Sequence, residues 1–381
     1  MLHSPHQENI KTKIIIWRLI ITMQQIRTPF IPFSNAYHDI QQLKNFHQEN
    51  PLHPCFVEGN FSPENTYQFF SNLAYETEDI GRCISLIVNV ITLTIIQNYC
   101  KEKYGHYLDS IMSGKFITSI CNNEADNHGS NLNAMKSCIQ YNADATYDIS
   151  IDKKIITNVG ASDLLFVNLA VSGGQSNKFV IVLFENDEIP QRSISDKLAG
   201  LTSCPSGSLR VELVKYKDIK IVAEGNKSLL VMRLMYNMER FLIGGVIAGI
   251  LKKILYYALQ ETDLDTVGKF NNQYLQDKVI AIFSYYTKLD SLIKNCIQLM
   301  NHHLIVEPIL SLIKIACIDD VHDAIIKLKE IYGAKSYANN HVTAKLLRDH
   351  EAIYNLGGTK ELMKQTLYNN LKNKKTRNQY V

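Results

Sequence analysis

The sequence predicts an α+β protein: helices first, then a block of short strands, then a long helical bundle. Three observations carry this. Apolar residues between about 34 and 112 recur at helical spacing. After Gly114 the texture changes to short apolar runs separated by Gly, Asn, Asp and Ser, the pattern of a compact β-sandwich or barrel. From Leu229 the helical period returns and persists to about residue 371. The chain is therefore divided into an N-terminal helical domain (1–113), a central β-domain (114–225) and a C-terminal four-helix bundle (226–381).

In the first part, Phe69, Phe70, Leu73 and Ala74 share a helical stripe, as do Ile84, Ile87, Val88 and Ile91. A polar helix is expected over 97–112, with Tyr104, Leu108 and Ile111 on one face and Gly114 as its stop. Strands are expected at 116–121, 136–141, 146–151, 154–157, 164–171, 178–184, 209–214 and 219–222. The bundle helices are expected at 229–260, 270–300, 304–332 and 340–371, with polar joints between them. Gly245 and Gly249 have the spacing that lets two helices approach closely.

Composition excludes several classes. With 381 residues, 46% apolar and 20% charged, the chain fits an ordinary globular protein with more than one core. A net charge of +3 gives no reason to expect a nucleic-acid partner. None of the eight cysteines has zinc-ligand spacing, so no metal site is expected and the thiols read as reduced, in a cytoplasmic protein. No apolar run is read as long enough to span a bilayer, and the run 14–21 is short and broken by Arg18. The basic stretch from Lys372 to Arg377 reads as a solvated terminus, and the pair His302-His303 as surface.

Glu239 stands out on physical grounds. On the first bundle helix its neighbours at three, four and seven residues are Met235, Tyr236, Leu242, Ile243, Met232 and Val246, all apolar or aromatic. A carboxylate in that stripe is either paired with a cation, turned to solvent, or tuned as a general base by its apolar surroundings.

The motifs around it resemble the acyl-CoA dehydrogenase superfamily over residues 65–371. Asn123-Glu124 followed by Gly129-Ser130-Asn131 resembles the family's flavin loop T-E-P-x-x-G-S-D, with one residue extra. The run Ile155-Ile156-Thr157-Asn158 resembles W-I-T-N, with Ile155 at the position of the ring-stacking Trp. Met238-Glu239-Arg240 resembles the family's "E-R" helix. The stretch Arg348-Asp349 through Gly357-Gly358-Thr359 to Glu361 resembles R-D-x-x-x-x-x-I-x-G-G-T-x-E. In most members the catalytic Glu lies late in the bundle, where this chain has Gly357. In long-chain and isovaleryl members it lies at the position of Glu239.

The resemblance implies FAD as cofactor, contacted by Asn123, Ser130, Ile155, Thr157, Gln273, Gly358 and Thr359. It implies Glu239 as the base, and Met232, Tyr236, Leu242, Ile243 and Gly357 as the substrate-binding residues. The implied reaction is α,β-dehydrogenation of an acyl thioester, on CoA or a carrier protein, as in fatty acid metabolism. The implied partners are an electron-transfer flavoprotein and further copies of the chain, in a homodimer or homotetramer. Two alternatives stand beside this reading, and departures from the family pattern favour the first. Thr262 stands near an expected arginine, Glu330 at an expected glutamine, and Ala334 and Ser336 at glycines. A degenerate binding or assembly subunit with little FAD is one alternative, and an oxygen-using oxidase-like flavoenzyme is the other.

Overall fold

The computed structural model describes residues 40–124, 135–172, 179–189, 192–194, 198–263 and 273–380. The apolar run 14–21 and Ser130 of the flavin-loop motif lie outside them.

Helix α1 (Ile40–Glu49) is followed by a short hairpin, β1 (Phe56–Val57) and β2 (Asn60–Phe61), which periodicity does not reveal at two residues per strand. Helix α2 (Pro63–Thr77) starts where the Ser62 hydroxyl accepts the Asn65 N–H and Pro63 occupies the first turn. Helix α3 (Ile80–Ile95) is capped by Asp79 and is buried on every side except at Arg82. The helix expected over 97–112 is instead a π-helical turn (Ile96–Cys100) and short helices Lys101–Tyr104 and Leu108–Met112. The irregular winding turns Tyr104 and Tyr107 both inward, where their hydroxyls donate to the Ile221 carbonyl (3.1 Å) and the Glu185 carboxylate (2.6 Å).

The strands are β3 (Thr118–Cys121), β4 (Cys138–Tyr141), β5 (Tyr147–Thr157), β6 (Leu164–Val171), β7 (Phe179–Glu185), β8 (Arg192–Ile194), β9 (Ser206–Tyr216) and β10 (Lys220–Glu224). They lie in the order β10-β7-β6-β4-β5-β9-β8, with β3 also on β6. The β3–β6 and β4–β6 pairs are parallel. The separate strands expected at 146–151 and 154–157 are one strand, β5, whose register against β9 shifts between Lys153 and Ile156. Alternation is plain on β6 and β7: Leu165, Val167, Val180 and Val182 fill the β-domain core. Phe166, Ile181 and Leu183 face the other way and join the core of the helices.

Helices α4 (Asn226–Asp263), α5 (Gln273–Asn301) and α6 (Glu307–Tyr332) form the body of the bundle. Gly249 lets α4 lie on α2, because a Cβ there would collide with the Ser71 carbonyl oxygen. The helix expected over 340–371 breaks into α7 (Val342–Ile353) and α8 (Lys360–Lys372). Gly357 (φ +68°) and Gly358 (φ +101°) make the break, since other residues rarely adopt those angles. The basic terminus is a further helix, α9 (Lys374–Tyr380), folded back so that the Gln379 amide and the Tyr380 hydroxyl donate to the Ile305 carbonyl. Two stretches, in Ile80–Met112 and Asn226–Thr262, are apolar and long enough to cross a membrane, contrary to the sequence reading. Both are mostly buried inside the protein.

Candidate active site

Glu239 lies one turn below Met235 on α4, among the buried Met232, Leu242, Ile243 and Val246. The break between α7 and α8 delivers Gly357 directly opposite. A Cβ built on Gly357 would stand 3.8 Å from the Glu239 carboxyl carbon, and the Gly357 N–H is near enough to that carboxylate to lower its pKa. Arg240, 8% exposed, points its Nε at the Gly357 carbonyl, 2.9 Å away. Lys314, on α6, is 0% exposed and donates to the Ile353 carbonyl. The same turn is thus held by one cation at its beginning and another at its bend.

Charge in this place is out of balance with its solvation. Part of Glu239 reaches the surface, yet the protein around its carboxyl removes enough water to push its pKa above the usual carboxylate value. Lys314, Arg240 and the Gly357 N–H pull in the opposite direction. Burial brings Lys314 down to about 8 and pushes the half-buried Tyr236 up to about 12, the latter with help from the Glu239 charge. A carboxyl group with a raised pKa beside an apolar helix face can take a proton near neutral pH.

A second group of the candidate residues gathers on the sheet. The Lys154 N–H donates to the Asn123 carbonyl (3.1 Å), and Glu124 bridges to Lys153, so the start of the flavin-loop motif lies against β5 next to Ile155. A buried ion pair fixes that join. Lys153 Nζ lies 2.5 Å from Glu124 Oε1, while Oε2 accepts the N–H groups of Lys136 and Ser137. Ile155 is left-handed (φ +55°) and 62% exposed, an unfavourable state for a β-branched side chain. Thr157 is half-buried, and its carbonyl accepts from the Ser119 hydroxyl at 2.8 Å. The next residue, Asn158, is also left-handed and fully buried. Its side chain is bonded to Ser85 and to the Thr118 carbonyl, and His47 extends the network from Ser85.

The remaining candidates are placed as follows. Gly358 lies beside Arg240, and Thr359 caps α8 by accepting the Leu362 N–H. Met232, Leu242 and Ile243 are packed in the core, with Tyr236 half-buried above them. Gln273 opens α5 at the surface, bonded to Asp277 one turn on, and no described contact joins it to the other candidates. Glu330, which stands at the position of an expected glutamine, is paired with Lys278, itself 3.9 Å above the Tyr274 ring. Spacing alone gave no role to Lys314, Asn158 or His47. Lys314 does stand seven residues after Glu307 on an apolar helix, where a lysine signals a buried charge.

Residues 229–372, the bundle that carries Glu239 and Gly357, match the family described as acyl-CoA dehydrogenase, C-terminal domain. Over these residues the bundle is similar in sequence to that family, and the chain as a whole has the acyl-CoA dehydrogenase fold. Among solved structures, butyryl-CoA dehydrogenase from Megasphaera elsdenii aligns with a TM-score of 0.79 at 17% identity, covering 89% of this chain and 91% of that one. The prolyl acyl carrier protein oxidase AnaB aligns with a TM-score of 0.78 at 16% identity, covering 97% and 99%. A glutaryl-CoA dehydrogenase from Mycobacterium smegmatis, in complex with FADH2, aligns with a TM-score of 0.75 at 17% identity, covering 88% and 87%. At these identities the structures establish the acyl-CoA dehydrogenase fold. No curated protein matches the chain in sequence.

Proposed function

We propose that this chain is an FAD-dependent dehydrogenase of acyl thioesters, carried on CoA or on a carrier protein, with Glu239 as the base. The observation that carries the reading is the pairing of Glu239 with Gly357. The place that holds no side chain at the late turn is reached by a carboxylate from the facing helix. Bound FAD would accept the hydride equivalent from the thioester β-carbon. Glu239 takes the α-proton, for which its raised pKa suits it. The apolar residues of α4 around it, Met232, Tyr236, Leu242 and Ile243, limit water at the proton-accepting atom.

The chain's own residues fit a flat ring at one end. Ile155 presents an apolar side chain to solvent from a strained backbone, next to Asn123 and Thr157. Strain of that kind is retained where function uses it, and covering by a ring would bury the exposed surface. Gly358 and Thr359, and Ser130 and Gln273 by family resemblance, are assigned to the rest of the cofactor. The enzyme is read as a homo-oligomer that passes electrons to an electron-transfer flavoprotein.

A second reading has one observation in its favour. The surface where the family places phosphate contacts has Glu330, and the Thr262 hydroxyl is spent on the Leu259 carbonyl. That favours a relative that has lost FAD and serves as a binding subunit. The visible spectrum of the purified protein separates the two. A flavin band that bleaches anaerobically on addition of an acyl thioester supports the enzyme. No flavin after incubation with FAD overturns it, and rapid oxygen consumption by the reduced protein makes it an oxidase.

A further inference from the structure

Lys314 plays no part in the reaction as described, yet it is an extreme case of buried charge in the bundle. Its side chain is fully enclosed. One of its three ammonium donors reaches the Ile353 carbonyl, at the last residue of α7. Among the described residues no carboxylate lies within ion-pair distance of it. Enclosing an ammonium without such contact is costly unless the charge is used. Arg240 makes the matching bond, to the Gly357 carbonyl four residues on. Glu239 is subject to the charge of both.

We propose that Lys314 is a positioning residue for Glu239. By holding the Ile353 carbonyl it fixes the turn that presents the Gly357 N–H, and its charge keeps the Glu239 carboxyl ionised and ready to accept a proton. This deepens the reading above and rests on Glu239 being the base.

The neighbouring charges are consistent with that division of work. On α4, Tyr236 and Arg240 face Glu239, and Glu307 from α6 acts on Arg240. On α6, Cys317 stands near both Lys314 and Asp320. Burial pushes the Cys317 thiol up to about 12, so it is neutral at working pH. His350 on α7 meets the Cys317 carbonyl at 3.1 Å, and burial together with His322 favours its neutral form. None of these replaces the Lys314 ammonium as a cation on the α6 side of the carboxyl.

The test uses Lys314→Met, which keeps length and removes charge, and Lys314→Arg, which keeps charge. The ionisation of Glu239 is followed directly, as the carboxyl stretch that disappears in Glu239→Gln by infrared difference spectroscopy. The pH profile of kcat is measured with an acyl thioester. In Lys314→Met both the infrared titration and the acidic limb of kcat move up by about one to three pH units. KM changes less than kcat at pH 7, and Lys314→Arg restores the lower value. An unchanged titration in folded Lys314→Met overturns the proposal. If the Met variant does not fold, Lys314→Gln is read in the same way. If the wild-type protein takes no flavin or does not turn over thioester, the proposed function fails. The infrared titration, which needs neither, still decides whether Lys314 sets the ionisation of Glu239.

Discussion

Glu239 and Gly357 face each other: a Cβ on Gly357 would stand 3.8 Å from the Glu239 carboxyl carbon, and the Gly357 N–H is near enough to lower the carboxyl pKa. Replacing Glu239 by Gln keeps the shape and removes the base. The expected result is a fall in kcat of about 10²–10⁴-fold, with flavin content unchanged. Its pKa is raised in the folded protein, so the stability it contributes is present at acid pH and lost as pH rises through that raised value. Glu239→Gln is therefore expected to unfold at equal or higher denaturant concentration than wild type at pH 8, a difference that closes at pH 4. Denaturation at the two pH values checks the sign.

The Gly357 backbone matters as much as the space beside it. At φ +68° a side chain strains the chain, and its Cβ would stand 3.4 Å from Arg240 Cγ. Gly357→Ala is expected to cost about 1–2 kcal/mol of stability. It should also move the Gly357 N–H away from the Glu239 carboxylate, whose pKa that N–H lowers, and so shift the acidic limb of kcat upward. Calorimetry together with a pH profile reads both effects.

Much of this site was legible in the sequence because it is written in local patterns. Glu239 was conspicuous because six apolar neighbours at helical spacing surround it, and Gly357-Gly358 fell inside a motif with a resemblance of its own. The break they cause was not anticipated, since apolar period alone runs through a left-handed turn without a mark. The bulge in β5 escaped for a similar reason. Two short strand signals, 146–151 and 154–157, were read as separate when a register shift at Lys153 joins them. Lys314 and Asn158 were given no role because their importance lies in contacts with the distant residues Ile353 and Ser85. The return of α9 onto Ile305 is likewise a long-range contact, invisible in a run of lysines.

Lys314 makes a stability prediction independent of any reaction. Its pKa falls from the ordinary 10.5 to about 8 because burial disfavours the charged form. Below pH 8 the enclosed ammonium lowers stability in full. Between pH 8 and 10.5 the unfolded chain still holds a proton that the folded one has released, so stability rises with pH. Lys314→Met removes this dependence. The advantage of the Met variant over wild type should shrink by up to about 3 kcal/mol from pH 7 to pH 10.5. Urea denaturation across that range is the measurement, and a constant difference would show that Lys314 titrates normally.

Ile155 separates a cofactor role from a folding role. Its left-handed backbone costs about 1–2 kcal/mol for a β-branched residue, and more than half of its surface lies open to solvent. Asn tolerates that backbone and has no apolar surface to cover. Ile155→Asn is therefore expected to raise the melting temperature of flavin-free protein by a few degrees. The same change should weaken FAD retention, because the side chain that would lie against the ring is gone. Fluorescence titration with FAD and calorimetry of the apoprotein give the two readings. Higher stability with undiminished flavin affinity would mean that Ile155 is strained for some reason other than the cofactor.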